Sequence, residues 1–418
     1  MTGRGALAGC GDGGSAATGL ELVTSDVGRS VGQQDAVPQV VAALHAFAGG
    51  LYGRLAVEPG NLVLSPYSVA VALGMTLAGA GGRTAAEMRA VLGVTSGARF
   101  HGGMNALTTD VEGLAGRQER ADGSEAELAL AGANQLYGQR GVGWERDFLH
   151  LLAREYGAGL RTVDYQNAHE QARSLINDWV AGRTQDRIPE LIPAGVLDQM
   201  TRLVLVNALY LKAPWEVPFE KFLTAPMPFH REDGSSVDVD TMRQPTLDTT
   251  LTRGDGWRAA RLSYAGRALA MTLVLPDPGR MREVETVLTA GGLGEVLTVG
   301  RPVALDVRLP RWTFRTQAPL NDVLQQLGMH DAFDPGTADF RPMTEEDVDL
   351  YVSAVLHEGF IAVDEEGTEA AAATAAVAMA CSASVGEPFH VDRPFLFAIH
   401  DVEHGTPLFL GRVNDPSQ

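Results

Sequence analysis

The chain has 418 residues, 45% of them hydrophobic and 20% charged, and its 52 acidic side chains against 33 basic ones give a formal net charge of −19. That balance argues against nucleic acid and anionic membrane as partners, because both are recognised through clustered cations. The length supports a large core without disulfides, and the two cysteines, Cys10 and Cys381, form no disulfide framework.

Residues 1–36 are rich in Gly, Ser, Thr and Gln with little periodicity, and they predict a disordered tether. Within them Leu7-Ala8-Gly9-Cys10 resembles a bacterial lipobox followed by a Gly/Ser-rich stretch, but Met1 to Ala6 is too short to supply the apolar run of a signal. Two readings stand: a lipid anchor at Cys10 with its leader further upstream, or a lone thiol in a tail. The formal G-x-G-x-x-G match from Gly9 to Gly14 has no strand before it and no helix after it, so no dinucleotide site is expected. Lys212 and Lys221 are the only lysines beside many Arg, Ala, Gly and Val, a skew expected of a GC-rich bacterial genome.

From Val37 the pattern turns helical, with Val40, Val41, Leu44, Phe47 and Leu51 on one stripe. Asn61 to Gly82 is uncharged and long enough to span a membrane, but Ser65-Pro66 and its glycines predict instead a buried core helix entered at Ser65. Leu203 to Leu211, interrupted by Asn207, and Ala268 to Leu275 read as strands, and Val303 to Phe314 alternates loosely. No fixed-period repeat is present, so the expectation is one large α+β domain over residues 37–418. No G-x-S-x-G elbow or P-loop occurs, and no nucleophile, base and orienter assemble, so an enzyme is not expected. His400 and His404 share ligand spacing, yet Gly405-Thr406-Pro407 follows directly and predicts a solvated hairpin turn rather than a metal site.

The stretch from Asp364 to Gly386 is the informative one. Helix propensity favours much of it, but it has no amphipathic face and no large anchoring side chain. Read as a strand, Thr368, Ala370, Ala372, Thr374, Ala376 and Ala378 share one face, all small and uncharged, while Glu369 falls on the other. Such a segment could slide between two strands without a clash or a buried charge.

Asp364-Glu365-Glu366-Gly367-Thr368-Glu369-Ala370-Ala371-Ala372-Ala373-Thr374 resembles the hinge of inhibitory serpins. Phe389-His390-Val391-Asp392-Arg393-Pro394-Phe395-Leu396-Phe397-Ala398-Ile399 resembles the serpin signature, and Pro407 to Val413 the family's last strand. The similarity extends over most of the chain after residue 37, including Asn177-Asp178-Trp179 and Val206 to Tyr210.

The resemblance implies a fold of three β-sheets with about nine helices and an exposed reactive-centre loop over about 365–388. It implies a single-use inhibitor of serine proteases. The target cuts the loop and forms an acyl-enzyme, and the freed hinge enters the main sheet and traps it, so the intact fold is metastable. Ser65, Ser68, Asn207 and His357 match the family's shutter beneath that sheet, with a satisfied polar cluster as the plainer alternative. Trp215, Arg311 and Glu365 match the breach where insertion begins, with a Glu365–Arg311 ion pair expected. The family spacing counted from Gly367 puts the cut between Cys381 and Ser382, whereas counting back from Pro394 points nearer Ala383. No basic residue flanks the cut, so elastase-, chymotrypsin- or subtilisin-like targets are expected rather than trypsin-like ones. A non-inhibitory serpin and a cysteine-protease inhibitor are the alternatives. No cofactor and no metal are expected, and the protein is expected to act as a monomer, outside the cell or lipid-anchored to its surface.

Overall fold

The computed structural model describes residues 20–369 and 386–418. Cys10, Ala370 to Thr374, Cys381 and Ser382 lie outside the described residues.

The uncharged stretch after Asn61 is a helix, Pro66–Leu77, with every residue buried. Its start follows from local chemistry: the Ser65 hydroxyl accepts from the Ser68 N–H at 3.2 Å, and proline follows where its missing N–H is harmless. None of the described helices is long and apolar enough to cross a membrane. The stripe from Val37 forms the helix Val37–Leu55, its apolar positions packed inward.

The main sheet runs in the order Glu21–Val23, Leu160–Val163, Gln135–Gln139, Leu203–Pro214, Gly367–Thr368, Val352–Val363 and Trp312–Pro319. Glu125–Gly132 joins it by pairing with the far half of Leu203–Pro214. Strand alternation sets its two faces. Leu203, Leu205, Leu209, Leu211 and Ala213 face the large core that holds the helix Pro66–Leu77. Val204, Val206 and Ala208 face a second core built by Ile176 and Val180 of the helix Tyr165–Arg183.

The remaining strands form a second nine-stranded sheet rather than the two further sheets the resemblance implies. The strand Ser236–Gly254, 19 residues long, pairs with Ala225–His230 at one end and Trp257–Ser263 at the other. Arg301–Pro310 follows it with an irregularity between Leu305 and Val307, so continuous hydrogen bonding fuses the two. Nine α-helical segments occur among the described residues.

Three sequence-based expectations are corrected. Residues 20–36 are not free tether: Glu21–Val23 pairs antiparallel with Leu160–Val163, and Arg29 holds Asn105 and Glu112 at 2.8 and 2.7 Å. The alternating run from Val303 is two strands, Arg301–Pro310 and Trp312–Pro319, parted at Arg311. His400 is not in a solvated turn, because its strand continues to Asp401. It is buried against Thr272, 2.9 Å away, and burial holds its pKa down to about 4. His404 lies apart, near Asp110, and no metal-binding cluster occurs among the described residues.

Candidate functional site

The seam between Leu203–Pro214 and Val352–Val363 divides the main sheet. The two strands pair in parallel, as direct neighbours, from Val352 opposite Leu203 to Glu358 opposite Ala208. Beyond that point they diverge. Leu209 to Lys212 pair outward with Gly132 to Ala129, and Gly359 to Ala362 pair outward with Thr316 to Thr313. At the far end Thr368 closes the opening, opposite Ala213 on one side and Val363 on the other. A short slot thus lies between the last seam pair and the seated Thr368.

This corrects the expectation that the uncleaved hinge lies wholly outside the sheet. Thr368 is buried between the strands, and its hydroxyl shares a 2.7 Å hydrogen bond with the Tyr264 hydroxyl on the inner face. Gly367 has φ +152°, and a Cβ there would lie 2.2 Å from the Ala213 carbonyl oxygen, so only glycine fits. Glu369, on the opposite face, takes φ +54°, a left-handed conformation costly for a non-glycine residue. Its carboxylate is buried 3.2 Å from the Arg187 guanidinium. Burial raises its pKa and Arg187 partly offsets that.

The turn before the hinge is fixed from several directions. Trp215 stacks on Tyr264 with ring centres 4.6 Å apart, and its Nε1–H donates to the Asp364 carbonyl at 2.9 Å. The Trp215 and Phe219 backbone N–H groups donate to the carbonyls of Glu366 and Glu365. Arg311 Nε lies 3.0 Å from the buried Glu365 carboxylate, and the Thr224 hydroxyl donates to it at 2.5 Å. Burial pushes this carboxyl up, but the Arg311 and Thr224 hydrogen bonds together hold it below its ordinary pKa. Lys221 sits 3.1 Å from Glu366. The structure therefore brings Trp215, Arg311 and Glu365 together.

At the other end of the slot, Ser65, Ser68, Asn207 and His357 are fully buried. Asn207 and His357 are direct partners across the seam, joined by a 2.6 Å hydrogen bond between Asn207 Oδ1 and His357 Nδ1. His357 Nε2 accepts from the Ser65 N–H at 3.1 Å, so Nδ1 carries the proton and donates to Asn207. The ring is neutral, its pKa held down to about 4 by burial. The Ser68 hydroxyl donates instead to Asn134, at 2.6 Å. The buried Asn207 Nδ2 finds no acceptor among the described residues. An orphan donor at this depth is costly and marks a place where a partner could arrive.

A matched serpin family model (serine protease inhibitor) covers residues 42–416. The chain belongs to the serpin family. It is a serine protease inhibitor and not itself an enzyme. It is 36% identical to the human leukocyte elastase inhibitor over 85% of this chain and 93% of that protein. It is 34% identical to the Xenopus tropicalis protein of the same name over the same shares. Among solved structures, the thermophilic serpin tengpin in its native state aligns with a TM-score of 0.82 at 25% identity, covering 94% of this chain and 97% of that one. Serpin48 of the insect Tenebrio molitor aligns at 0.78 with 29% identity, over 92% and 99%. The curated relatives named are vertebrate and lend no support to the expected bacterial origin.

Tyr264, Thr224, Asn134 and Arg187 were not legible as site residues in this serpin. Each acts through a partner distant in the chain, and none sits in a motif.

Proposed function

We propose that this serpin inhibits by insertion: a protease cuts the loop after Cys381, and the hinge then fills the slot as a new strand. The observation that carries the reading is the pre-seated Thr368. Extending its register down the slot sets Glu369, Ala370, Ala371 and Ala372 opposite Lys212, Leu211, Tyr210 and Leu209, where the seam is already open. Ala373 would be first to displace an existing pair, between Ala208 and Glu358. Thr374 would come next, between Asn207 and His357, its hydroxyl beside the unpartnered Asn207 amide. On this reading Ser65, Ser68, Asn207 and His357 form a shutter that opens at that step, and Trp215, Arg311 and Glu365 a breach that guides entry.

The named leukocyte elastase inhibitors and the absence of a basic residue at the cut support elastase-, chymotrypsin- or subtilisin-like targets. The reading extends to a monomer acting outside the cell, free or tethered through Cys10, on the strength of Leu7-Ala8-Gly9-Cys10.

The test is incubation with a panel of serine proteases and papain-like enzymes. A covalent complex that survives denaturation with a serine protease is expected, and the loop-cleaved protein should melt well above the intact one, because insertion completes a strand ladder. Complexes formed with papain-like enzymes alone would favour a cysteine-protease inhibitor. Equal melting of the two forms and no complex would leave a non-inhibitory serpin.

A further inference from the structure

Three strands of the second sheet carry a basic row across their outer face. Val307 and Leu309 belong to the core, so alternation turns Arg308, between them, to the other side. There Arg308 stands directly opposite Arg243 on one neighbouring strand and His390 on the other. Like charges set opposite one another destabilise a sheet unless something neutralises them. Asp306 serves two of the three: its carboxylate lies 3.0 Å from Arg243 Nε and 3.4 Å from His390 Nε2. Arg308 has no such partner among the described residues. Its Nε is buried without any hydrogen bond there, and its Nη1 meets the Met227 sulfur, a weak acceptor, at 3.8 Å.

The missing partner has a place to sit. A cavity of about 100 Å³ opens against Arg308, His390, His230, Thr241 and Met227, well above the roughly 10–15 Å³ that one water needs. Asp392, the acid of its lining, is already paired with Arg393 at 2.7 Å. A partly buried guanidinium with a donor shut off from water calls for an anion, and a tetrahedral oxyanion presents acceptors in several directions at once. The location gives such an anion a consequence. Glu387–His390 receives the far end of the loop, and it is an edge strand of four residues hydrogen-bonded to Arg301–Pro310. An anion held between Arg308 and His390 ties that edge to its neighbour by charge, next to the 2.8 Å bond from the Val391 N–H to the Arg308 carbonyl.

We propose that this cavity binds an oxyanion of phosphate or sulfate size, and that the bound anion pins the strand Glu387–His390 to the sheet. The probe is inorganic phosphate, titrated by calorimetry into the full-length, uncleaved protein in Tris chloride, with O-phosphoserine beside it and sodium chloride at matched ionic strength as the control. Saturable binding is expected, weakened at least about tenfold in Arg308→Gln by the loss of one charge-assisted hydrogen bond. That variant should fold, since it removes an unpaired charge, and Arg308→Lys, which keeps the charge without the buried Nε, should bind at intermediate strength. Amide hydrogen exchange at Phe389 and Val391 should slow when phosphate is added to the parent, and stay unchanged in Arg308→Gln. Tighter binding of phosphoserine than of phosphate supports the site and assigns it to a phosphoryl group carried on a larger ligand, whereas equal or weaker binding assigns it to the free ion. No saturable heat from either, or undiminished binding by Arg308→Gln, overturns the site. Binding as expected with unchanged exchange, or equal slowing by sodium chloride, overturns the pinning role.

Discussion

Replacing Glu358 by glutamine removes a buried acid from the seam and leaves its shape. Glu358 is the last residue of Val352–Val363 paired with Leu203–Pro214. It is buried, with Arg315 3.5 Å away and half exposed. Burial raises its pKa from 4.5 to about 7, and Arg315 only partly opposes this. Because the folded value lies above the unfolded one, the native state binds more protons than the unfolded state between these limits. The resulting penalty is absent below pH 4.5, grows through the interval and is complete above pH 7. Its ceiling is about 3 kcal/mol, at about 1.4 kcal/mol for each pH unit. Glu358→Gln should therefore stabilise the uncleaved protein by up to about 3 kcal/mol at pH 8 and by almost nothing at pH 4.5. The buried His101, His357 and His400, each held down to about 4, act oppositely and lose native stability as pH falls from 6.5 toward 4. They are present in both proteins and cancel in the difference. The assay is urea unfolding of both proteins from pH 4.5 to 8.5. A difference that is flat with pH, or a variant less stable at pH 8, would refute the reasoning.

Three further outcomes are expected. Sequencing the C-terminal fragment released by a target protease should give Ser382-Ala383-Ser384-Val385-Gly386, and a fragment starting at Ala380 would move the cut to Met379. Peroxide should abolish inhibition by converting the Cys381 thiol to an anion in the protease's primary pocket, and Cys381→Ala should resist it; equal sensitivity of that variant would shift the lesion to Met379. Thr368→Arg should turn the inhibitor into a substrate cut at the same bond, and it should also lower the melting temperature of the intact protein, since Thr368 is already buried. An unchanged ratio of inhibitor consumed to protease silenced would sink that reasoning.

From the sequence alone, the expectation is that Thr368→Arg still folds, its loop lying outside the sheet, and that Glu369→Arg on the outer face does far less. Both expectations change for one reason. Alternation in Thr368-Glu369-Ala370 is visible in the chain and correctly sets Thr368 and Glu369 on opposite faces. What alternation lacks is depth, which depends on Tyr264, Ala213 and Arg187, all far away in sequence. Glu369 is outward-facing yet covered, and Glu369→Arg would set a second guanidinium against Arg187. The helix Pro66–Leu77 was legible because Ser65-Pro66 and an unbroken apolar run are local signals. The strand Glu21–Val23 was not, because three residues carry no period and their stability comes from the edge strand Leu160–Val163. Glu358 shows the same limit: a lone acid in a strand reads as solvated until the packing around it is known.

The slot also explains why the hinge is built from alanine and threonine. Register extension sends odd-numbered residues to the face of Tyr210, Phe360 and Glu358. Even-numbered ones go to the face of Leu209, Leu211 and Ile361, which is already packed core. A packed core has no room for a long side chain, and overpacking one typically costs about 1–3 kcal/mol per site. Alanine at Ala370 to Ala373 avoids that cost while keeping every backbone donor and acceptor for the two ladders. Position 374 differs because the seam there is polar on its inner face. Breaking the Asn207–His357 bond would leave the neutral histidine donor and the Asn207 Oδ1 without partners, beside an Asn207 Nδ2 that already lacks one, at about 1–3 kcal/mol for each buried orphan. A hydroxyl can donate to one and accept from another, and alanine can do neither. Thr374→Ala should therefore slow insertion beyond the open part of the slot, while Ala372→Thr, whose hydroxyl would meet only Leu209 and the backbone, should restore nothing. The ratio of inhibitor consumed to protease silenced reads both. If Thr374→Ala inhibits as efficiently as the parent, the register drawn from Thr368 is wrong.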